Sequence, residues 1–556
     1  MVTRRFFALL AGSTSIAAAA AGCYDDNCEL LNTCPVLDLA ETDSESEPDP
    51  DTGPAPETTS GSTTSGVNLT PQTATPARAA TLEGSLDVLD KPICRRDGGD
   101  IQDGCGVFVS SSKGDDSGTG SRADPVKTLE QAMKLAVDRN RVVYACAEVF
   151  EETLLLPPDV VLVGGLDCED DWSSIGFFQK THIIAAPDEH AVIVQEADAS
   201  SLVVDVHMEA VDATIPGGSS IAVVAWDGTK VHFERCEFVA GDGKRGLDGA
   251  PGDANEPVAQ GGPNGLLGAS ACSGDAPAGG GLVFATCDDG VVSAGGIGGK
   301  GGAIAGSDGT TGAPEPFPNE ASMGASGKGE SLNTACSSGT KGNTGEDGSH
   351  GAGATGIGAM TPGGYEGMRG GDGKNGATGQ GGGGGGGARG GPLFCGNKPK
   401  GGAGGGSGGG GGCGGRGGLG GGFGGASIAL VIGYSEVSVA DGVFLTGNGG
   451  DGGTGGMFQI GGDGGAEGHG GNGFGGSNKG CPGGGGGRGG NGGYGGGGLG
   501  GPSLAVTHQV EEPDIDFAFM QVGQPGKGGL GGNPNIAGTA GADGIAGEMA
   551  LLPPNP

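Results

Sequence analysis

The sequence predicts an all-β protein, a solenoid of short stacked strands interrupted by long glycine-rich excursions. Three observations predict it. A short phrase recurs, as Ser220-Ile-Ala-Val-Val, Ser427-Ile-Ala-Leu-Val and Ser503-Leu-Ala-Val-Thr. Each copy is followed by a second β-rich piece, Val231–Phe238, Val437–Phe444 and Ile515–Phe519. Each then runs into glycine, at Gly241, Gly447 and Gly523. Recurrence is the signature of a stacked fold, in which no unit buries its apolar face alone. The pieces alternate apolar and polar residues, as strands with one buried face do. The copies lie 207 and 76 residues apart, whereas solenoid units run about 20–45 residues. If the copies stack, residues 241–425 and 447–501 must leave the stack and return.

Composition sets the bounds. Of 556 residues 135 are Gly and only 4% are aromatic, against an average Gly content of about 7%. A side-chain core is therefore confined to residues 91–240 and the later coils 426–446 and 502–522, with 523–556 a glycine-rich tail. The formal net charge of −37 repels phosphate backbones and argues against nucleic acid as a partner. Such acidity favours hydration and solubility.

Residues 1–23 read as an export signal. Arg4 and Arg5 precede a short apolar run that ends in Ala17–Ala21, Gly22 and Cys23. The run is too short to span a bilayer. Thr3-Arg4-Arg5-Phe6-Phe7 resembles a twin-arginine signal, and Ala20-Ala21-Gly22-Cys23 resembles a bacterial lipobox, which implies acylation of Cys23. The alternative is a plain signal peptide that happens to precede a cysteine. The expected location is the outer membrane or cell surface of a Gram-negative bacterium, with the lipid as the membrane anchor. Residues 24–90 are acidic and rich in Ser, Thr, Gly and Pro, too poor in apolar surface to order themselves. As a flexible tether they would span about 45 Å.

Residues 91–240 carry the predicted first coils. Val107–Ser110 reads as a strand, followed by a Gly/Asp loop and a helix from Lys127 to Asp138, with Leu129, Ala132, Met133, Leu135 and Ala136 at helical spacing. Short strands follow at Arg141–Ala145, Glu152–Leu156, Val160–Gly165, His182–Ala185, Ala191–Val194 and Leu202–Val204. The stretch from Val107 through Pro125-Val-Lys-Thr-Leu and the segment Glu152-Thr-Leu-Leu-Leu-Pro-Pro-Asp-Val-Val-Leu-Val-Gly-Gly-Leu-Asp-Cys to Trp172 resemble the opening of right-handed parallel β-helix proteins of the pectin-lyase-like superfamily. With lipobox, tether and glycine excursions, the whole resembles myxobacterial-type glycine-rich surface lipoproteins, sometimes labelled PE-PGRS-like for composition alone. The resemblance implies a right-handed parallel β-helix with an N-terminal capping helix. It implies no single activity, because the superfamily contains lyases, hydrolases, adhesins and inert scaffolds.

The chain has 14 cysteines, and export would place them in an oxidising compartment. Local disulfides would join Cys94 with Cys105, Cys146 with Cys168, Cys272 with Cys287 and Cys395 with Cys413. The spacings are not those of a metal site. In the excursions glycine falls at every third residue, for instance from Gly364 to Gly385 and from Gly538 to Gly547. Period three fits a collagen triple helix, an intramolecular bundle of polyproline II (PPII) segments, or disorder. The runs are short, broken and proline-poor, which counts against collagen; bundle and disorder both stand. Gly449-Gly-Asp-Gly and Gly461-Gly-Asp-Gly look like calcium-roll repeats, but the nonapeptide register fails.

Catalytic signatures are missing: there is no nucleophile elbow, zinc-protease or P-loop pattern. Asp167, Glu169, Asp170 and Asp171 beside Trp172 form an acidic cluster, read as a solvated turn next to Cys168. His182, His190, His207 and His232 are read as ordinary strand residues rather than ligands, and Lys180, Lys230 and Arg235 have no evident acidic counterpart. No catalytic residue, metal or cofactor is expected. The function expected is a structural or adhesive role at the cell surface, with other surface proteins or polysaccharide as partners. The alternative is binding or cleavage of an extracellular polysaccharide.

Overall fold

Alternating apolar residues become strands with one buried edge. Thr181–Ala185 buries Thr181, Ile183 and Ala185 and turns His182 and Ile184 outward; Val206–Ala210 repeats the pattern. The computed structural model describes residues 101–554, less 102–103, 105, 197–198, 254, 316–321 and 510–511. All belong to one unit, Leu82–Pro556. It is all-β and dominated by parallel sheets.

One six-stranded parallel sheet takes its strands in chain order: Leu154–Leu156, Val192–Val194, Ser220–Trp226, Ser427–Gly433, Ser503–His508 and Ala546–Leu551. The recurring phrase is its spine, since Ser220 pairs with Ser427, Ser427 with Ser503 and Ser503 with Ala546. A twelve-stranded sheet runs beside it. Its two ladders meet in the long strand Glu436–Thr446, whose first half pairs with Lys230–Glu234 and second half with Glu237–Ala240. Between the ladders the chain turns at Asp205, Arg235 and Asp441, each left-handed with φ of 54°, 52° and 51°. A non-glycine residue there costs about 1–2 kcal/mol, so the repetition marks one corner built three times. Successive passes thus lie on one another in register, which is compatible with a β-solenoid.

The core is an apolar stack inside these sheets. Phe238 lies on Phe444 with rings 4.6 Å apart and 5° from parallel, and Phe233 and Phe517 meet them edge-on. The helix Leu129–Arg139 buries Leu129, Ala132, Met133 and Ala136 against the first strands. Thr128 caps it by accepting the Gln131 N–H, and Asn140 ends it at φ 51°.

The glycine excursions are ordered, and they form a second core without apolar side chains. Gly370, Gly373, Gly376 and Gly379 donate N–H to the carbonyls of Gly421, Gly418, Gly415 and Gly412, an antiparallel match in steps of three. Gly412, Gly415, Gly418 and Gly421 donate in turn to Gly487, Gly490, Gly493 and Gly496, in parallel. Gly450, Gly453 and Gly456 donate to Gly425, Gly422 and Leu419. Three-residue steps with bonds only between segments are what PPII rods give. Residues 401–413 are buried throughout, at the middle of the bundle. Asx-Gly pairs clamp its parallel neighbours. Gly249 donates to the Thr454 carbonyl while Asp248 Oδ1 accepts the Thr454 N–H at 2.7 Å. Asp242-Gly243 grips Asn448 and Asp451-Gly452 grips Lys527 in the same way.

Disulfides cross-link this bundle, and two of the local pairings expected from the sequence are corrected. Cys272 bonds to Cys395, not to Cys287, and Cys413 bonds to Cys287, not to Cys395. Cys336–Cys481 was not foreseen. The reason is the doubling back of the excursion: cysteines close in sequence sit on different rods, and each meets a partner more than 120 residues away on the adjacent one. Cys146–Cys168 forms as expected. Cys94 and Cys105 lie outside the described residues.

A Cβ on most bundle glycines would fall under 3.0 Å from backbone of the next rod. Gly484 and Gly486 are of this kind, whereas at Gly485 between them the nearest atom is 3.6 Å away. Gly484→Ala and Gly486→Ala should therefore each destabilise the protein by about 1–3 kcal/mol, while Gly485→Ala leaves the thermal midpoint close to wild type. Equal midpoints for the three variants would contradict the packing described.

Candidate functional site

Parallel pairing stacks outward side chains into rows. His182 pairs with His207, and His207 with Glu237, so three polar side chains line up across adjacent strands. Glu209 lies two residues beyond His207, on the same outward face of Val206–Ala210. The four are half-buried, with 23–31% of each side chain exposed. His182 Nε2 is 2.7 Å from Glu209 Oε2, and His207 Nδ1 is 2.7 Å from Glu237 Oε2. The two imidazole rings meet edge-on, 4.2 Å apart.

The protonation pattern follows. A carboxylate accepts only, so His207 donates from Nδ1 to Glu237. The hydrogen bond from His207 holds the Glu237 carboxyl below the ordinary glutamate range, against the opposing effect of burial. Burial, and then the neighbouring His207, lower the His182 pKa. His207 Nε2 is shut off from solvent and makes no hydrogen bond, although Glu209 Oε2 lies 3.4 Å away.

The row opens on a cleft of about 460 Å³. Glu148, Gln179, Lys180 and the paired rings of Phe177 and Phe178 complete its wall. The two phenylalanines are 83% and 88% exposed, in a chain with few aromatics. Lys180 Nζ lies 3.6 Å from Asp205, whose almost fully buried carboxylate takes two hydrogen bonds from the Arg235 guanidinium. Asp205 and Arg235 are two of the left-handed corners, so Lys180 joins the cleft wall to them.

The other sequence candidates do not converge. The Asp167 carboxylate accepts the N–H groups of Glu169 and Asp170 and so closes a turn. Glu169 pairs with Lys113 and Asp171 with Arg122. Trp172 is buried edge-on against Phe108. His190 contacts the Ile221 carbonyl and His232 contacts Ser438, both away from the cleft. Lys230 pairs with Glu436. Cys23 lies outside the described residues. Among the described residues no helix is long and apolar enough to cross a membrane.

Sequence reasoning took His182 and His207 as ordinary strand residues. The signal that could have joined them is the coil period: each occupies the second, outward position of a five-residue strand one coil apart. Spacing alone did not fix which strands pair.

Cys236 is the one free cysteine among the described residues, and burial pushes its thiol up to about 12. It should resist alkylation at pH 8 in the folded protein and react only on unfolding, as mass spectrometry would record; stoichiometric labelling of the native chain would contradict its placement.

No protein-family model matches the chain, and comparison with curated proteins and with solved structures gives no match either. The expected resemblance to pectin-lyase-like proteins therefore rests on sequence motifs alone, and the parallel sheets are compatible with a β-solenoid.

Proposed function

We propose that this chain is an exported, lipid-anchored cell-surface protein with a structural or adhesive role. On this reading the parallel sheets are a right-handed β-helix, the hand of nearly all parallel crossovers, and the glycine bundle is a rigid body built out from its coils. The observation that carries the reading is the set of disulfides Cys272–Cys395, Cys287–Cys413 and Cys336–Cys481. Disulfides persist in oxidising compartments outside the cytoplasm. Arg4, Arg5 and Cys23 supply the export and anchoring parts of the reading, and the acidic tether would hold the body off the membrane. The bundle keeps glycine inside and turns apolar side chains such as Ile304, Leu332 and Leu393 outward, as an adhesive surface does.

A second reading is favoured by one observation. The exposed rings of Phe177 and Phe178 stand beside a cleft lined by carboxylates and imidazoles. Flat apolar faces next to polar groups suit the faces and hydroxyls of a sugar ring. The alternative is thus an extracellular polysaccharide-binding or polysaccharide-degrading protein.

Two measurements test the proposal together. Cys23→Ser should move the protein from the membrane to the soluble fraction, and unchanged fractionation would remove lipidation as the anchor. Incubation of the folded chain with acidic and neutral polysaccharides should leave polymer length unchanged. Chain shortening that disappears in a Glu237→Gln variant would replace the structural reading with an enzymatic one.

A further inference from the structure

We infer that His182, His207 and Glu209 form a binding site for a divalent transition-metal ion of the zinc class, with Glu237 as the group that orients His207. This goes beyond the surface role proposed above and does not depend on it.

Three features of the site lead there. The first is the donor set. His182, His207 and Glu209 each offer one ligand atom, and these atoms all lie within 4.8 Å of one another. Two of the separations are 2.7 Å and 3.4 Å. Bonds of about 2.0–2.1 Å to imidazole nitrogen and carboxylate oxygen place ligand atoms about 3–3.4 Å apart around one ion, so small side-chain movements complete the site. Two imidazoles and a carboxylate suit zinc and its neighbours rather than calcium, which takes oxygen ligands.

The second feature is a buried ring nitrogen without a hydrogen bond. His207 turns Nε2 toward the Glu209 carboxylate, 3.4 Å away and without a hydrogen bond. A ring nitrogen cut off from water beside a carboxylate, which only accepts, is a position that a cation can fill. In the metal-free protein His182 Nε2 bonds to the same carboxylate. When the ion binds, the neutral His182 ring carries its one proton on Nδ1 instead of Nε2, an exchange through solvent with no net proton released, and His182 Nε2 and Glu209 become ligands.

The third feature is Glu237. Its carboxylate sits behind His207 on the next strand and takes the Nδ1 proton at 2.7 Å. A carboxylate in this position fixes the tautomer and raises the basicity of the ligating nitrogen. The row is set by parallel register in three consecutive strands, a rigid platform rather than a mobile loop. Three protein ligands leave the remaining coordination positions facing the cleft, the arrangement of a zinc ion with open positions rather than a closed structural one.

The test uses the full-length oxidised chain after chelator treatment, titrated with Zn²⁺ alone in a calorimeter. One tight equivalent is expected. His182→Ala and His207→Ala should each abolish it, with circular dichroism unchanged because both side chains face outward. Glu237→Gln should weaken it about 10- to 100-fold. X-ray absorption on the unmutated chain with one equivalent of Zn²⁺ is independent of any variant's folding: it should report nitrogen and oxygen neighbours at about 2.0–2.1 Å and no sulfur. Absence of tight Zn²⁺ binding by the folded chain, binding that survives both histidine substitutions, or sulfur in the coordination sphere would each overturn the assignment.

Discussion

The constraint on which this architecture depends is the close approach of backbone to backbone in the glycine bundle. At the central segment, residues 401–413, a Cβ on nearly every glycine would meet a carbonyl of a neighbouring rod. Glycine is required there for clearance, whatever its effect on flexibility. Once the rods touch, their N–H and C=O groups satisfy each other and no apolar side chains are needed. Each hydrogen bond nets about 0.5–1.5 kcal/mol, while ordering a residue costs about 1–2 kcal/mol. The two terms nearly cancel, so cross-links that restrict the unfolded chain count for much. Disulfides closing loops of more than 100 residues contribute about 4–5 kcal/mol each in the chain-entropy model. Their placement between rods, including one on central Cys413, meets that need.

The stacked sheets supply what the bundle lacks. Each excursion leaves after one coil and returns to begin the next with a serine: Ser427 pairs with Ser220, and Ser503 with Ser427. The sheets hold the ends of the glycine segments in register, and the bundle spaces the later coils along the stack. The left-handed corners at Asp205, Arg235 and Asp441 keep the two ladders of the larger sheet at a constant bend. The His182–His207–Glu237 row is a product of the same regularity, since a parallel stack repeats one side-chain direction from coil to coil.

Much of this was legible in the sequence, for identifiable reasons. The threefold phrase placed the spine strands because alternation and recurrence are local signals that survive long insertions. Cys146–Cys168 could be read because its partners are close in the chain. The order of the bundle could not be decided, because period-three glycine is common to ordered rods and to disorder. The crossed pairings Cys272–Cys395 and Cys287–Cys413 were hidden by the path of the excursion, which composition does not encode. The Gly449-Gly-Asp-Gly motif looked like a failed calcium repeat, yet its Asp451 accepts an N–H from the neighbouring rod, as Asp242 and Asp248 do. The histidine row was missed because His182 and His207 become neighbours only through strand register.

Amide hydrogen exchange across residues 364–425 in the folded, oxidised protein tests the central claim most directly. The interlocked bundle predicts slow exchange at Gly376, Gly379, Gly412 and Gly415, comparable to the strand Ser427–Gly433, because each N–H is bonded to another rod. Complete exchange of this region within seconds, while that strand stays protected, would contradict the bundle.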